Sequence, residues 1–468
     1  MTDMTGEQNL MRKRETEIQQ KENKMGTMPV GKLIATMSWP AVLSMMIQAL
    51  YNVVDSIFVA HLSEKALTAV TLVYPAQIII IAVGVGTGIG INSLIARRLG
   101  EKRFEEASAA AGNGFRLAIY SWLVFLLFGI FFSKMFISAF SSDGYILQNG
   151  TYYLRIVMIF SVFGLMQMVT EKILQSTGNM IMPMISSLTG AVINIILDPI
   201  LIFGLLGAPK LGVAGAAIAT VTGQMVASFA VMMILFRGNH PVKVRIKGFR
   251  HDRQILREIY AVGLPAILMQ SIMSLMLFGV NMILAGFSSA AVAVNGAYGR
   301  LQSFIFMPVI GINQGTTPII GYNYGARNRI RLMKTYRLAL LTALCIMAAG
   351  FFVFQMFPDM LLRMFDAKGA MYEIGIPALR IVSICFLPAA FGIITSGFFQ
   401  ATGHGFTSLV ASLIRQLIGV LPLAFILARS GGVMAVWWAF PLAEIMGVAY
   451  LGSMLRHTYK REIMSFSD

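Results

Sequence analysis

Three carboxylates occupy stretches where a carboxylate is costly: Asp55 in the apolar run 32–61, Asp198 in NIILDPILIF, and Glu171 in MVTEKILQSTG. On insertion scales an acid at mid-bilayer costs about 2.5–3.5 kcal/mol, which makes each a functional candidate. Tyr51 and Asn52 stand four and three residues before Asp55, and Asn194 stands four before Asp198, so each set shares a helical face. Acids held together away from water can share a proton or hold a small cation, because close like charges oppose joint ionisation. Pro199 disfavours a helical conformation at Asp198 and points to freed backbone carbonyls there. Glu171 lies nearer the inner end of its span, where Lys172 is expected to snorkel to the interface. For Glu171 an interfacial role and a role in the site both stay open.

Such acids need membrane-spanning elements to hold them, and the composition supplies these. Of 468 residues, 57% are hydrophobic and 12% charged, against about 25% charged in soluble proteins. Mean hydropathy is +0.72. Twelve apolar segments can be counted: 33–60, 69–96, 115–138, 151–176, 183–206, 213–236, 258–286, 292–320, 336–357, 375–400, 407–428 and 432–455. The net charge of +16 comes from basic residues clustered in a few loops, around 97–103, 237–257 and 327–337. That distribution is the positive-inside pattern, not a nucleic-acid footprint, and it places both termini in the cytoplasm. Residues 1–28 are polar, lack an apolar signal-peptide core, and read as a mobile tail or surface helix. Cys345 and Cys385 both lie in apolar runs and suggest neither a disulfide framework nor a metal site.

The two halves repeat at an offset of 225 residues: Pro40 falls on Pro265, Gln77 on Gln302, Gly86 on Gly311, Gly90 on Gly315 and Gly100 on Gly325. LRIV at 154–157 falls on LRIV at 379–382. Two lobes of six spans, related by an axis along the membrane normal, follow from this, with a binding region near their interface. The polar groups are not repeated. Asp55 falls on Val280 and Asp198 on Leu423, and the second lobe keeps only Glu444 with Arg415, a potential pair. Ion chemistry therefore belongs to the first lobe. The glycine run 84–90 lacks the Lys-Ser/Thr ending of a phosphate loop and reads as close helix packing. With no HExxH, nucleophile elbow or Walker motif, the sequence gives no support for an enzyme or an ATP-driven pump.

Pro40 with VVDSIFVA around Asp55, QSTGN and QATGH after the fourth and tenth spans, and LDPILIF in the fifth together resemble the multidrug and toxic compound extrusion (MATE) family, in its bacterial DinF-like and MepA-like branch. The resemblance implies an all-α membrane protein of twelve transmembrane helices in two six-helix lobes related by pseudo-twofold symmetry. The expected divisions are a tail at 1–28, an N-lobe at 29–236, a basic linker at 237–257, a C-lobe at 258–456 and a second tail at 457–468. It implies ion coupling through Asp55, Asp198, Glu171, Asn194 and Tyr51, with Asp55, Asp198 and Asn194 as ligands if the ion is Na+ and not H+. Pro40 is the implied bend in the first span. Met45, Gln48, Asn52 and Gln175 are assigned to the substrate surface. Gln270 and Met273 stand in span seven, and span ten has no acid, so the second-lobe acids of the NorM branch are missing here. The expected activity is export of amphipathic cationic drugs or dyes across the bacterial cytoplasmic membrane. It needs no cofactor, no nucleic acid and no second copy of the chain, its only other partner being membrane lipid. A flippase for a lipid-linked saccharide is the rival, and it predicts a cationic cavity for pyrophosphate; a channel or scaffold would need no coupling acids.

Overall fold

The computed structural model describes residues 23–238, 240–244, 252–365 and 367–466, and among them there is no strand. Most of the expected first tail, part of the linker, and residues 467–468 lie outside this set, as does the side chain of Asn52.

A short helix α1 (Lys24–Thr27) precedes the first lobe, which comprises α2 (Val30–Leu62), α3 (Glu64–Gly100), α4 (Phe104–Phe131), the short α5 (Ser133–Ser138), α6 (Gly144–Ile159), α7 (Ser161–Ser176), α8 (Ile181–Phe203) and α9 (Val213–Arg237). The second lobe comprises α10 (Arg253–Ala285), α11 (Ser289–Gly325), α12 (Arg329–Met356), the short α13 (Pro358–Arg363), α14 (Ala370–Ser383), α15 (Phe386–Ala401), α16 (Gly405–Leu413), a π-helical stretch Ile414–Val420, α17 (Leu421–Val436) and α18 (Ala439–Arg461). Eight spans are single apolar helical runs; α6–α7 and α14–α15 form two more, bent by 43° and 48°. With α11 and α18 these make twelve.

The 225-residue repeat extends to local structure. Ser63 caps α3 by accepting from Ala66 N at 3.1 Å, and Ser288 caps α11 by accepting from Ala291 N at 3.1 Å. Each serine satisfies a donor that the first helical turn leaves without a partner. The short helices α5 and α13 correspond residue for residue, and both bends fall at the same place in the repeat. The lobes part at the π-helical stretch, which has no counterpart in α8. Gly432, at φ 68°, is a non-helical break within α17, so the eleventh-span helix ends before it and residues 433–436 lead on toward α18, in line with a twelfth span expected from 432.

Each lobe has its own apolar core. Ile91, Leu94, Tyr153, Leu165 and Ile173 are central to the first; Phe354, Phe386, Phe398 and Trp437 are central to the second. Large apolar side chains also cover the outside, among them Val124, Phe131, Phe229 and Leu341. Water would penalise that surface; lipid does not.

The lobes meet where α2 packs on α11 and α3 packs on α10 and α11. Here the glycines act as the repeat suggests. A methyl group at Gly311 would lie 2.7 Å from Val42 Cα, and one at Gly86 would lie 2.8 Å from Ile267 N, the position one repeat on from Val42. Below them α1 is wedged between the lobes. Met25 is fully buried with Leu33, Met37, Met180 and Ile319, and Arg331 donates to the carbonyls of Met25 (3.1 Å) and Met28 (2.7 Å). Residues 23–28 of the expected tail are thus packed structure.

Candidate functional site

Helix α2 lies along α8, and this packing brings Asp55 and Asp198 face to face within hydrogen-bonding reach. Asp198 is inaccessible to solvent, and Asp55 Oδ1 is buried with no hydrogen-bond partner. Asn194, one turn before Asp198, completes the group. With its amide oriented to suit its neighbours it donates to Asp198 Oδ2 at 3.2 Å and accepts from Thr220 N at 3.1 Å. Tyr51 lies one turn before Asp55, close to both acids. Residue types alone had not singled out Thr220, or the pair in which Gln77 Nε2 donates to the Tyr153 hydroxyl at 3.4 Å. Tyr153 is buried near Asp55. The available signal was Gln77, which the repeat retains as Gln302.

The helix is unbroken through Asp198 and Pro199, contrary to the disruption expected from the proline. A proline takes its own N–H out of the ladder and crowds the carbonyl four residues back, and α8 absorbs both while staying helical four residues from its end. Helix α2 likewise runs continuously through Pro40, whose carbonyl accepts from Ser44 Oγ at 2.9 Å.

Between the lobes is a cavity of about 620 Å³. Met45, Gln48, Tyr51, Glu171, Gln175 and Asn194 line it from the first lobe, and Gln270, Met273, Gln314, Gln400 and Arg415 line it from the second. Asp55 and Asp198 are not among the lining residues; Tyr51 and Asn194 stand between them and the open space. The acids divide accordingly into a pair behind the wall and a single carboxylate, Glu171, on it. Glu171 Oε1 accepts from Gln167 Nε2 (2.9 Å) and Ser187 Oγ (3.1 Å).

Lys172 corrects the sequence reading. Its ammonium does not rise to an interface but turns into the cavity wall, donating to Gln175 Oε1 at 2.9 Å and to Gln314 Oε1 of the second lobe at 3.3 Å. The cause lies on α3. Gly84, Gly88 and Asn92, at four-residue spacing, face α7; a methyl group at Gly88 would lie 2.7 Å from Lys172 Cγ, and Asn92 Nδ2 donates to Lys172 O at 3.1 Å. The groove at Gly88 takes the lysine stem inward. In the second lobe Arg415, on the π-helical stretch, pairs with Glu444 at 3.2 Å, as their isolation in the sequence suggested.

A two-lobed bundle of twelve membrane-spanning helices, with a cavity between the lobes and a close acid pair in one of them, defines a transporter. The chain belongs to the MatE family, whose profile matches residues 40–200 and 265–426, one match in each lobe. It is 25% identical over 417 residues to the multidrug export protein MepA of Staphylococcus aureus (strain bovine RF122 / ET3-1), covering 89% of this chain and 91% of the relative. Among solved structures it is similar to the outward-facing conformation of a multidrug resistance MATE family transporter of the MOP superfamily, with 28% identity, TM-score 0.86 and coverage of 93% and 98%. It is also similar to MATE in the bent conformation, with 28% identity, TM-score 0.86 and coverage of 96% and 99%. Membership places the chain among transporters, not enzymes.

Proposed function

We propose that the protein is a secondary antiporter that exports amphipathic organic cations in exchange for protons, coupled through Asp55 and Asp198. The observation that carries this reading is the contact between the two carboxyl groups behind the cavity wall. Two carboxylates so close, in a buried setting, need a proton or a cation between them. Asn194 suits the proton: with its amide oriented to suit its neighbours, its NH2 points at Asp198 and its oxygen accepts from Thr220 N.

Export follows from different affinities in two lobe arrangements. With the pair deprotonated, the site's negative charge and Glu171 attract a cationic amphiphile entering from the cytoplasm. Protonation from outside cancels that attraction and lets α2 rearrange about Pro40, where the helix already lacks a backbone bond. Methionines 45, 269, 273 and 307 supply an adaptable apolar wall. The whole cavity lies within one chain, which supports function as a monomer. The basic ends of α3 and α12 support a cytoplasmic-membrane protein with both termini inside. Lipid-linked saccharide transport is less well supported, because Arg415 is matched by Glu444, which leaves the single ammonium of Lys172 to face a doubly charged pyrophosphate.

The test is rhodamine 123 movement in proteoliposomes under an imposed pH or Na+ gradient. The wild type should move dye against the proton gradient, and Asp55→Asn and Asp198→Asn should fall to background. Wild-type rates in Asp55→Asn would overturn the assignment.

A further inference from the structure

We propose that Lys172, with Gln175 and Gln314, forms a carboxylate-binding subsite in the cavity, so that the cavity prefers zwitterionic amphiphiles to simple cations. The inference takes from the functional reading only that this cavity holds the substrate.

The Lys172 ammonium carries three donors, and two are placed on neutral amide oxygens, one from each lobe. Among the described residues no carboxylate lies within 4.0 Å of it, whereas Arg415, the other cation on this wall, is already paired with Glu444. A cation taken out of water is costly unless an opposite charge offsets it. Glu171 acts on it only through space and makes no ion pair with it, because its carboxylate turns toward α8 and is held by Gln167 and Ser187. Adjacent positions on α7 thus present a fixed negative and a fixed positive charge in different directions. A net-neutral ligand with its own separated charges matches both. A monocation satisfies Glu171 and leaves Lys172 uncompensated. The groove at Gly88 and the Asn92 bond to the Lys172 carbonyl hold the ammonium in this position.

Rhodamine 110, a zwitterion with a free carboxylate, and its methyl ester rhodamine 123, a monocation, differ only at the group in question. Equilibrium binding of each dye to purified full-length protein, followed by fluorescence anisotropy, tests the subsite without requiring ion coupling, so a failure of antiport and a failure of this inference are separable. Wild-type protein should bind the acid more tightly than the ester. Lys172→Met should weaken rhodamine 110 at least tenfold and leave rhodamine 123 unchanged or tighter, which also shows that the variant is folded. Lys172→Arg should restore the preference for the acid. An unchanged acid-to-ester ratio in Lys172→Met, or a wild type that binds the ester and not the acid, overturns the proposal.

Discussion

Gly100 and Gly325, one repeat apart, meet at the basic end of the molecule, each set against the other helix's backbone: Gly100 against Tyr322 and Ala326, Gly325 against Arg97. No side chain separates α3 from α11 at this crossing. Close beside it, Ser93 Oγ donates to the carbonyls of Gln400 (2.6 Å) and Ala401 (3.1 Å), and Arg98 pairs with Glu258 at 2.7 Å. The two lobes are therefore sealed together at this end by contacts that tolerate no added bulk.

Substituting either glycine by valine should prevent that closure. We expect Gly325→Val to insert normally but to move dye at less than a tenth of the wild-type rate. Spin-label distances across the basic end should lengthen. Unchanged distances would mean that the crossing has slack.

The wedge α1 depends on Arg331. Hydrogen bonds to a charged group contribute about 1.5–3 kcal/mol each, so losing both backbone contacts in Arg331→Ala should loosen α1 by about 2 kcal/mol or more. Trypsin cleavage after Lys24 should accelerate by more than about tenfold, since 1.4 kcal/mol is one decade. Equal cleavage rates in the two proteins would show that burial of Met25 alone holds the segment.

Arg415 and Glu444 form a partly buried pair, and removing one partner leaves the other charge exposed to a poorly solvating wall. Arg415→Gln and Glu444→Gln should each lower thermal stability, while the double variant should lose less than the sum. A double-mutant cycle should return a coupling of about 1–3 kcal/mol. Strict additivity would reduce the pair to a surface contact.

In cells, Asp55→Asn should abolish resistance to cationic dyes while the protein stays in the membrane, because the substitution removes charge but almost no volume. Immunoblotted membranes and growth inhibition together check this. Glu171→Gln, which acts on the cavity wall and not behind it, should weaken dye binding yet keep the response to a pH gradient.

The acid pair was legible because depth and helical spacing can be counted along a chain: Asp55 and Asp198 sit at like heights in parallel spans, each with a polar residue one turn before. The repeat was legible for the same reason, and its glycines pack as their positions implied. Lys172 was not. Whether a long side chain turns outward or inward is decided by what it meets, and what it meets is the groove at Gly88, 84 residues earlier in the chain. Thr220 was hidden among apolar neighbours with no spacing to mark it, and for Tyr153 the one mark was its partner Gln77, kept by the repeat as Gln302. The division between an acid pair behind the wall and a single acid on it depends on the packing of α2 against α8, which no local pattern contains.

The central claim is that a cationic substrate and a proton are alternatives for one charge-balanced site. Proton release when rhodamine 123 binds to purified protein in weakly buffered solution tests it most directly, since linkage requires about one proton per dye bound. We expect that release in the wild type and none in Asp55→Asn or Asp198→Asn. Equal release from the variants, or dye binding with no proton change in the wild type, would contradict the account.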